Sequence, residues 1–99
     1  MARLSTHVLD TARGRPAAGI EVRLYNTARE LLAKTITDAD GRALLHENLA
    51  PGEYELAFAV GMSDFLDQIV IRFKIAAGES KYHVPLLVSP YGYTTYRGS

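Results

Sequence analysis

Apolar and polar residues alternate with a period of two along most of this chain, the pattern of strands that bury one face and expose the other. Ile20, Val22 and Leu24 fall on one side of their segment, with Glu21 and Arg23 on the other. Tyr54, Leu56, Phe58 and Val60 alternate with Glu55, Ala57 and Ala59, and Ile69, Ile71, Phe73 and Ile75 alternate with Val70, Arg72 and Lys74. Adding Leu4 to Leu9, Leu31 to Thr37, Ala43 to His46, Lys81 to Val88 and Thr94 to Arg97 predicts about eight strands, the number expected of an antiparallel β-sandwich. The one helical expectation is a short turn near Ser63 to Leu66. A single domain over residues 1–99 is expected, with no linker, repeat or low-complexity tract.

Turn residues at short intervals separate these segments: Gly14-Arg15-Pro16, Asp38-Ala39-Asp40-Gly41, Ala50-Pro51-Gly52, Ala77-Gly78-Glu79 and Pro90-Tyr91-Gly92. Asp38-Ala39-Asp40-Gly41 looks like the start of a calcium loop, but its glycine comes too early for an EF-hand. A hairpin turn is expected instead, with Gly41 at positive φ and Arg42 aimed from the start of the next strand. Pro85 lies inside a strand-like run although proline cannot donate to a ladder, which predicts an edge strand or one packed against another subunit.

Composition narrows what such a sandwich can do. Lys and Arg together number 11, as do Asp and Glu, so no net charge directs the chain to nucleic acid or an anionic membrane surface. A small-molecule partner fits better. The absence of cysteine excludes disulfides, a thiol nucleophile and thiolate metal sites. No apolar run approaches the roughly 18 residues of a membrane span. No basic stretch followed by an apolar segment opens the chain, so no secretory signal is expected and the cytoplasm is the expected location. With 47% hydrophobic residues in 99, some apolar surface is expected to be buried between subunits.

The polar groups able to do chemistry are few. His7 shares a strand face with Ser5 and Leu9, and His83 shares one with Pro85, Leu87 and Ser89. Imidazoles titrate near 6.5, so two on facing strands could serve as general base and acid. The plainer reading of each is a partly exposed strand residue. His46, next to Glu47, reads as a surface residue. The three histidines lack the short-range spacing of a zinc motif, so no metal and no cofactor is expected. No phosphate-binding glycine loop and no nucleophile elbow is present. The last residues, Tyr96-Arg97-Gly98-Ser99, put a hydroxyl, a guanidinium, a flexible pivot and a carboxylate directly after a strand, as part of a site would.

Four stretches in order carry a family resemblance: Leu4-Ser5-Thr6-His7-Val8-Leu9-Asp10-Thr11 continuing to Gly14-Arg15-Pro16-Ala17; Asp40-Gly41-Arg42; Tyr82-His83-Val84-Pro85-Leu86-Leu87-Val88-Ser89-Pro90; and Tyr96-Arg97-Gly98-Ser99. Together they resemble the 5-hydroxyisourate hydrolases, the transthyretin-like enzymes of urate breakdown. His7, His83 and the Tyr-Arg-Gly-Ser ending distinguish this pattern from the hormone carrier transthyretin, which shares the fold. The resemblance implies a transthyretin-like β-sandwich assembled as a homotetramer, a dimer of dimers, with active sites in the channel between dimers. It implies hydrolysis of a ring amide of 5-hydroxyisourate, with His7, Arg42 and His83 as catalytic residues. Substrate contacts would come from His7, Arg42, Tyr96, Arg97, Gly98 and Ser99. Which histidine is the base stays open at this point. The competing reading is a non-catalytic carrier that binds an aromatic small molecule in the interface channel. Two departures from the family stand out: Gly61-Met62-Ser63-Asp64 is short where relatives have a fuller helix, and Lys81 replaces a frequent additional histidine.

Overall fold

Each predicted alternation becomes a strand in the computed structural model, which describes residues 1–98. Ser99, expected among the substrate contacts, lies outside the described residues. The strands are β1 (Ala2–Asp10), β2 (Arg15–Pro16), β3 (Glu21–Asn26), β4 (Leu31–Ile36), β5 (Arg42–Leu49), β6 (Gly52–Ala59), β7 (Gln68–Ile75), β8 (Lys81–Val88) and β9 (Tyr93–Thr95). The smaller sheet has the order β4-β3-β6-β7. In the larger one β1 is central: β5 and then the short β2 pair along one edge, β8 pairs along the other, and β9 lies beyond β8. The fold is the expected transthyretin-like β-sandwich. β2 is the strand the periodicity did not announce, since two residues opposite Leu9 and Asp10 are too few to show any alternation.

The two sheets enclose one core. Leu4, Val8 and Leu86 of the larger sheet meet Val22, Leu24, Leu56 and Phe58 of the smaller, all at 0% exposure. Complete burial of such a side chain stabilises by about 1.5–3 kcal/mol. Thr6 points into this core, and its hydroxyl donates to the Val84 carbonyl at 2.6 Å, so the polar atom is satisfied. On β6 the alternation is incomplete, because Glu55 on the second face is also buried. Its carboxylate is held by Arg29 at 2.8 Å and Arg72 at 3.7 Å, which explains how a charge can sit there.

Four expectations change in detail. The pairing is not antiparallel throughout: β1 and β8 run parallel from Arg3 opposite Lys81 to Asp10 opposite Val88. Direction between strands so distant in sequence follows the route of the chain, and alternation carries no record of it. Ser63 to Leu66 is a turn, and none of the described residues is helical. Ser63 Oγ accepts from the N–H groups of Phe65 and Leu66 as a helix cap would, but the Val60 N–H already bonds the Asp67 carbonyl and β7 starts at Gln68. No room is left for a second turn of helix.

The turn at Asp38 to Gly41 is not a hairpin. It carries the chain from β4 in the smaller sheet to β5 in the larger. Asp38 Oδ1 accepts from the N–H groups of Asp40 and Arg42, and Gly41 has φ 75° as expected. A methyl group at Gly41 would fall on the Val8 carbonyl oxygen, so the turn is seated directly against β1. Finally, Pro85 is on no edge, because β8 is flanked by β1 and β9. The His83 carbonyl faces β9, where it accepts from the Gly98 N–H. The Pro85 nitrogen, two residues on, faces the same way, at the gap where Tyr96 and Arg97 leave the β8–β9 ladder. The N–H that proline lacks is therefore not a rung of the Leu86–Val88 ladder with β9.

Candidate active site

Because β1 buries its even-numbered residues, Arg3, Ser5 and His7 face outward from the larger sheet. The register sets two rows across that face. Arg42 on β5 stands opposite His7, which stands opposite Pro85 on β8; one step along, Leu44 stands opposite Ser5, which stands opposite His83. With strands about 4.8 Å apart, Arg42 and His83 flank His7 and Ser5 across about 10 Å. Arg42, His7 and His83, three residues distant in sequence, are thus brought together on one open face. An open cleft of about 630 Å³ runs along it, lined by Ser5, Arg42, Leu44 and His83 and bordered by Arg3, Lys81, Asp38 and Ile36.

Each imidazole is anchored through a different nitrogen. His7 Nε2 is 2.8 Å from the Asp40 carbonyl oxygen. A carbonyl only accepts, so His7 carries its proton on Nε2 and, when neutral, leaves Nδ1 with a free lone pair. His83 Nδ1 is 2.9 Å from Ser5 Oγ, which leaves Nε2 free. Partial burial holds the His83 imidazole below the ordinary histidine range, and the nearby positive charges of His7, Arg42 and Lys81 push it further the same way. His83 is therefore a neutral imidazole at neutral pH. None of the ion pairs among the described residues involves Arg42. Its guanidinium is available to an anion or a developing oxyanion at one side of the cleft, while a neutral base stands at the other.

The tail divides. The Gly98 N–H donates to the His83 carbonyl at 2.7 Å, and a Cβ on Gly98 would stand only 2.7 Å from His83 Cδ2. Gly98 therefore packs against the imidazole, and only the absence of a side chain permits that approach. Arg97 turns away: its guanidinium lies 4.1 Å over the Tyr82 ring and reaches the Lys81 carbonyl at 3.2 Å and Glu79 at 3.5 Å. Tyr96 lines a separate, largely apolar cleft of about 230 Å³ with Ile71, Phe73 and Val84. Within one chain, then, Tyr96 and Arg97 are not brought to the cleft lined by Arg42 and His83, beside which His7 stands on the same face. His46 is half-buried and its Nδ1 accepts from the Asn48 N–H. Among the described residues no group of three or more His, Asp or Glu side chains stands close enough to hold a metal ion.

Three features of the site escaped sequence reasoning: the Ser5 hydroxyl, the Asp40 carbonyl and the packing of Gly98 on the imidazole. For Ser5 a signal existed, since it lies two residues before His7 on the same strand face. For Asp40 the contributing atom is backbone, so residue type says nothing about it.

The model of the HIUase/Transthyretin family matches residues 4–98. The chain is 50% identical to the 5-hydroxyisourate hydrolase of Caulobacter vibrioides over 115 aligned positions, covering 100% of both proteins, so that relative holds residues this chain lacks. The solved structure of Klebsiella pneumoniae 5-hydroxyisourate hydrolase matches with a TM-score of 0.88 and 39% identity, covering 100% of each chain. Transthyretin from Sparus aurata matches with a TM-score of 0.86 at 25% identity, covering 99% of this chain and 97% of the other.

Proposed function

The chain belongs to the HIUase/Transthyretin family, and from its His7, Arg42 and His83 face we propose that it hydrolyses 5-hydroxyisourate to 2-oxo-4-hydroxy-4-carboxy-5-ureidoimidazoline in urate breakdown. The observation that carries the reading is the neutral, anchored His83 imidazole facing an uncommitted Arg42 guanidinium across His7, on one open face. Water is a poor nucleophile at neutral pH. His83 Nε2 removes its proton as the oxygen attacks the ring carbonyl, which becomes an oxyanion held by Arg42. As the C–N bond breaks, the proton passes from the imidazolium to the leaving nitrogen, and the ring opens to a carboxylate and a ureido group. His7, its tautomer set by the Asp40 carbonyl, offers Nδ1 to a substrate N–H and orients the ring. Residues 1–99 act in this reading as a single hydrolase domain that needs no metal or cofactor. The tail fixes His83 through Gly98, whereas Tyr96, Arg97 and Ser99 are substrate contacts on family resemblance alone.

The working form is a homotetramer in the cytoplasm. Face-to-face packing of two dimers would close the cleft, which lies open on the single chain with exposed Leu44 and Ile36 along it. Among the described residues no helix is long and apolar enough to cross a membrane. The direct test is the ultraviolet absorbance of freshly generated 5-hydroxyisourate, which is expected to decay faster with the protein present. Binding of the compound without any acceleration would instead identify a carrier.

Gly98→Ala is expected to lower kcat/KM by about 10-fold to 10²-fold, because the new methyl group displaces the His83 ring and small misplacements of a catalytic group cost that much. Circular dichroism should show the sandwich intact. Undiminished turnover by this variant would mean that the ring tolerates displacement.

A further inference from the structure

We infer that Ser5 is a positioning residue for this hydrolysis: its hydroxyl holds the His83 ring through Nδ1 so that Nε2 is the nitrogen presented to the attacking water. The inference rests on the hydrolase reading above and deepens it. Its basis is geometric. Ser5 stands directly opposite His83 in the parallel β1–β8 ladder, and Oγ lies 2.9 Å from Nδ1. The two strands fix the backbone on both sides of this contact, so neither partner relies on a loop for its position.

The chemistry of the contact follows from what His83 must do. To accept a proton at Nε2, the neutral ring must carry its hydrogen on Nδ1, which then donates to Ser5 Oγ. When the ring takes up the second proton, the same bond becomes charge-assisted and strengthens, so the hydroxyl favours the imidazolium formed in the reaction. A carboxylate in this place would orient the ring too, but its charge would raise the imidazole's pKa and hold more of the base protonated. A hydroxyl orients without that effect. The charged and titratable groups around His83 are Arg3 and His7 on β1, Arg42 on β5 and Lys81 on β8, with Asp38 at the cleft border; the Arg97 guanidinium of the tail is turned away onto Tyr82 and Glu79. All but Asp38 are basic. The positive charges of His7, Arg42 and Lys81 favour the neutral ring, and the Ser5 hydroxyl is placed to accept from Nδ1–H in the tautomer that leaves Nε2 free.

The test compares Ser5→Ala and Ser5→Thr with the wild-type chain. Steady-state hydrolysis of 5-hydroxyisourate is measured across pH, with NMR titration of the His83 ring carried out without substrate. In Ser5→Ala, kcat should fall by about 10-fold to 10²-fold with KM little changed. The His83 midpoint should move to lower pH and its ring should lose the Nδ1–H preference. Ser5→Thr, which keeps a hydroxyl at the same carbon and suits a strand, should restore both the tautomer and most of kcat. An unchanged His83 titration and tautomer in Ser5→Ala would overturn the role of Ser5 whatever the activity. A fall in kcat that Ser5→Thr fails to rescue, accompanied by a loss of thermal stability, would overturn it as well, since that is a packing defect. No turnover by the wild-type chain would instead sink the hydrolase reading itself.

Discussion

Replacing His83 with alanine is expected to lower kcat/KM for 5-hydroxyisourate by about 10² to 10⁴, the usual contribution of a positioned general base. The loss should fall mainly on kcat, because the imidazole acts on the attacking water and gains its importance as the proton moves. The pH profile gives the sharper test. Burial and the surrounding positive charges hold the His83 imidazole below the ordinary histidine range, so the base is still neutral where a free histidine would already be half protonated. The acid limb of kcat/KM should therefore lie below about pH 6.5, and it should vanish from the residual activity of His83→Ala. The same depression acts on the fold. As the pH drops below about 6.5 the unfolded chain takes up a proton at this position before the folded one does, so stability falls through the window down to the folded pKa. Thermal melts at each pH separate that effect from loss of the base. An acid limb at or above 6.5, or a His83→Ala variant of undiminished rate, would remove His83 from the role of base.

How much of this site was legible beforehand depends on which level of structure holds each part. The alternation of Ile20 to Tyr25 and of Ile69 to Ile75 is a local property, and it reappears as β3 and β7. Gly41 was readable as the pivot of a turn because glycine closing Asp38-Ala39-Asp40 tolerates a positive φ, and the structure adds its close approach to the Val8 carbonyl. That the turn crosses between sheets was not readable, since alternation says nothing of which sheet a strand joins. The register of β1 against β8 was likewise hidden, and with it the meeting of Ser5 and His83. His7 and His83 attracted notice through their side-chain chemistry, whereas serine on a strand is unremarkable until its neighbour is known. The tail divides on the same principle. Its residue types suggested a site, but the departure of Tyr96 and Arg97 from the ladder, and the return of Gly98 to His83, depend on packing against Tyr82 and the imidazole.

Arg42→Ala is expected to reduce kcat by about 10² to 10³, the loss typical of removing one donor to a developing oxyanion. Two observations support the proposal that this residue stabilises the transition state. Its backbone is fixed by the turn, with its N–H on Asp38 Oδ1 at 3.0 Å and its carbonyl accepting from the Asp38 N–H at 2.9 Å, so the side chain starts from a rigid point. Its guanidinium, absent from the ion pairs among the described residues, keeps its donors for the reacting group. Arg42→Lys preserves the charge but loses the planar fork of N–H groups, so it should recover only part of the rate. Gly41→Ala supplies an independent check. The methyl group it adds must push the turn off the Val8 carbonyl, moving Arg42 and the Asp40 carbonyl that orients His7 together. This variant should therefore lose rate although every catalytic side chain remains. The division between kcat and KM decides the role of Arg42. A raised KM with kcat unchanged in Arg42→Ala would mean that the guanidinium binds substrate and transition state equally, leaving the oxyanion to some other donor.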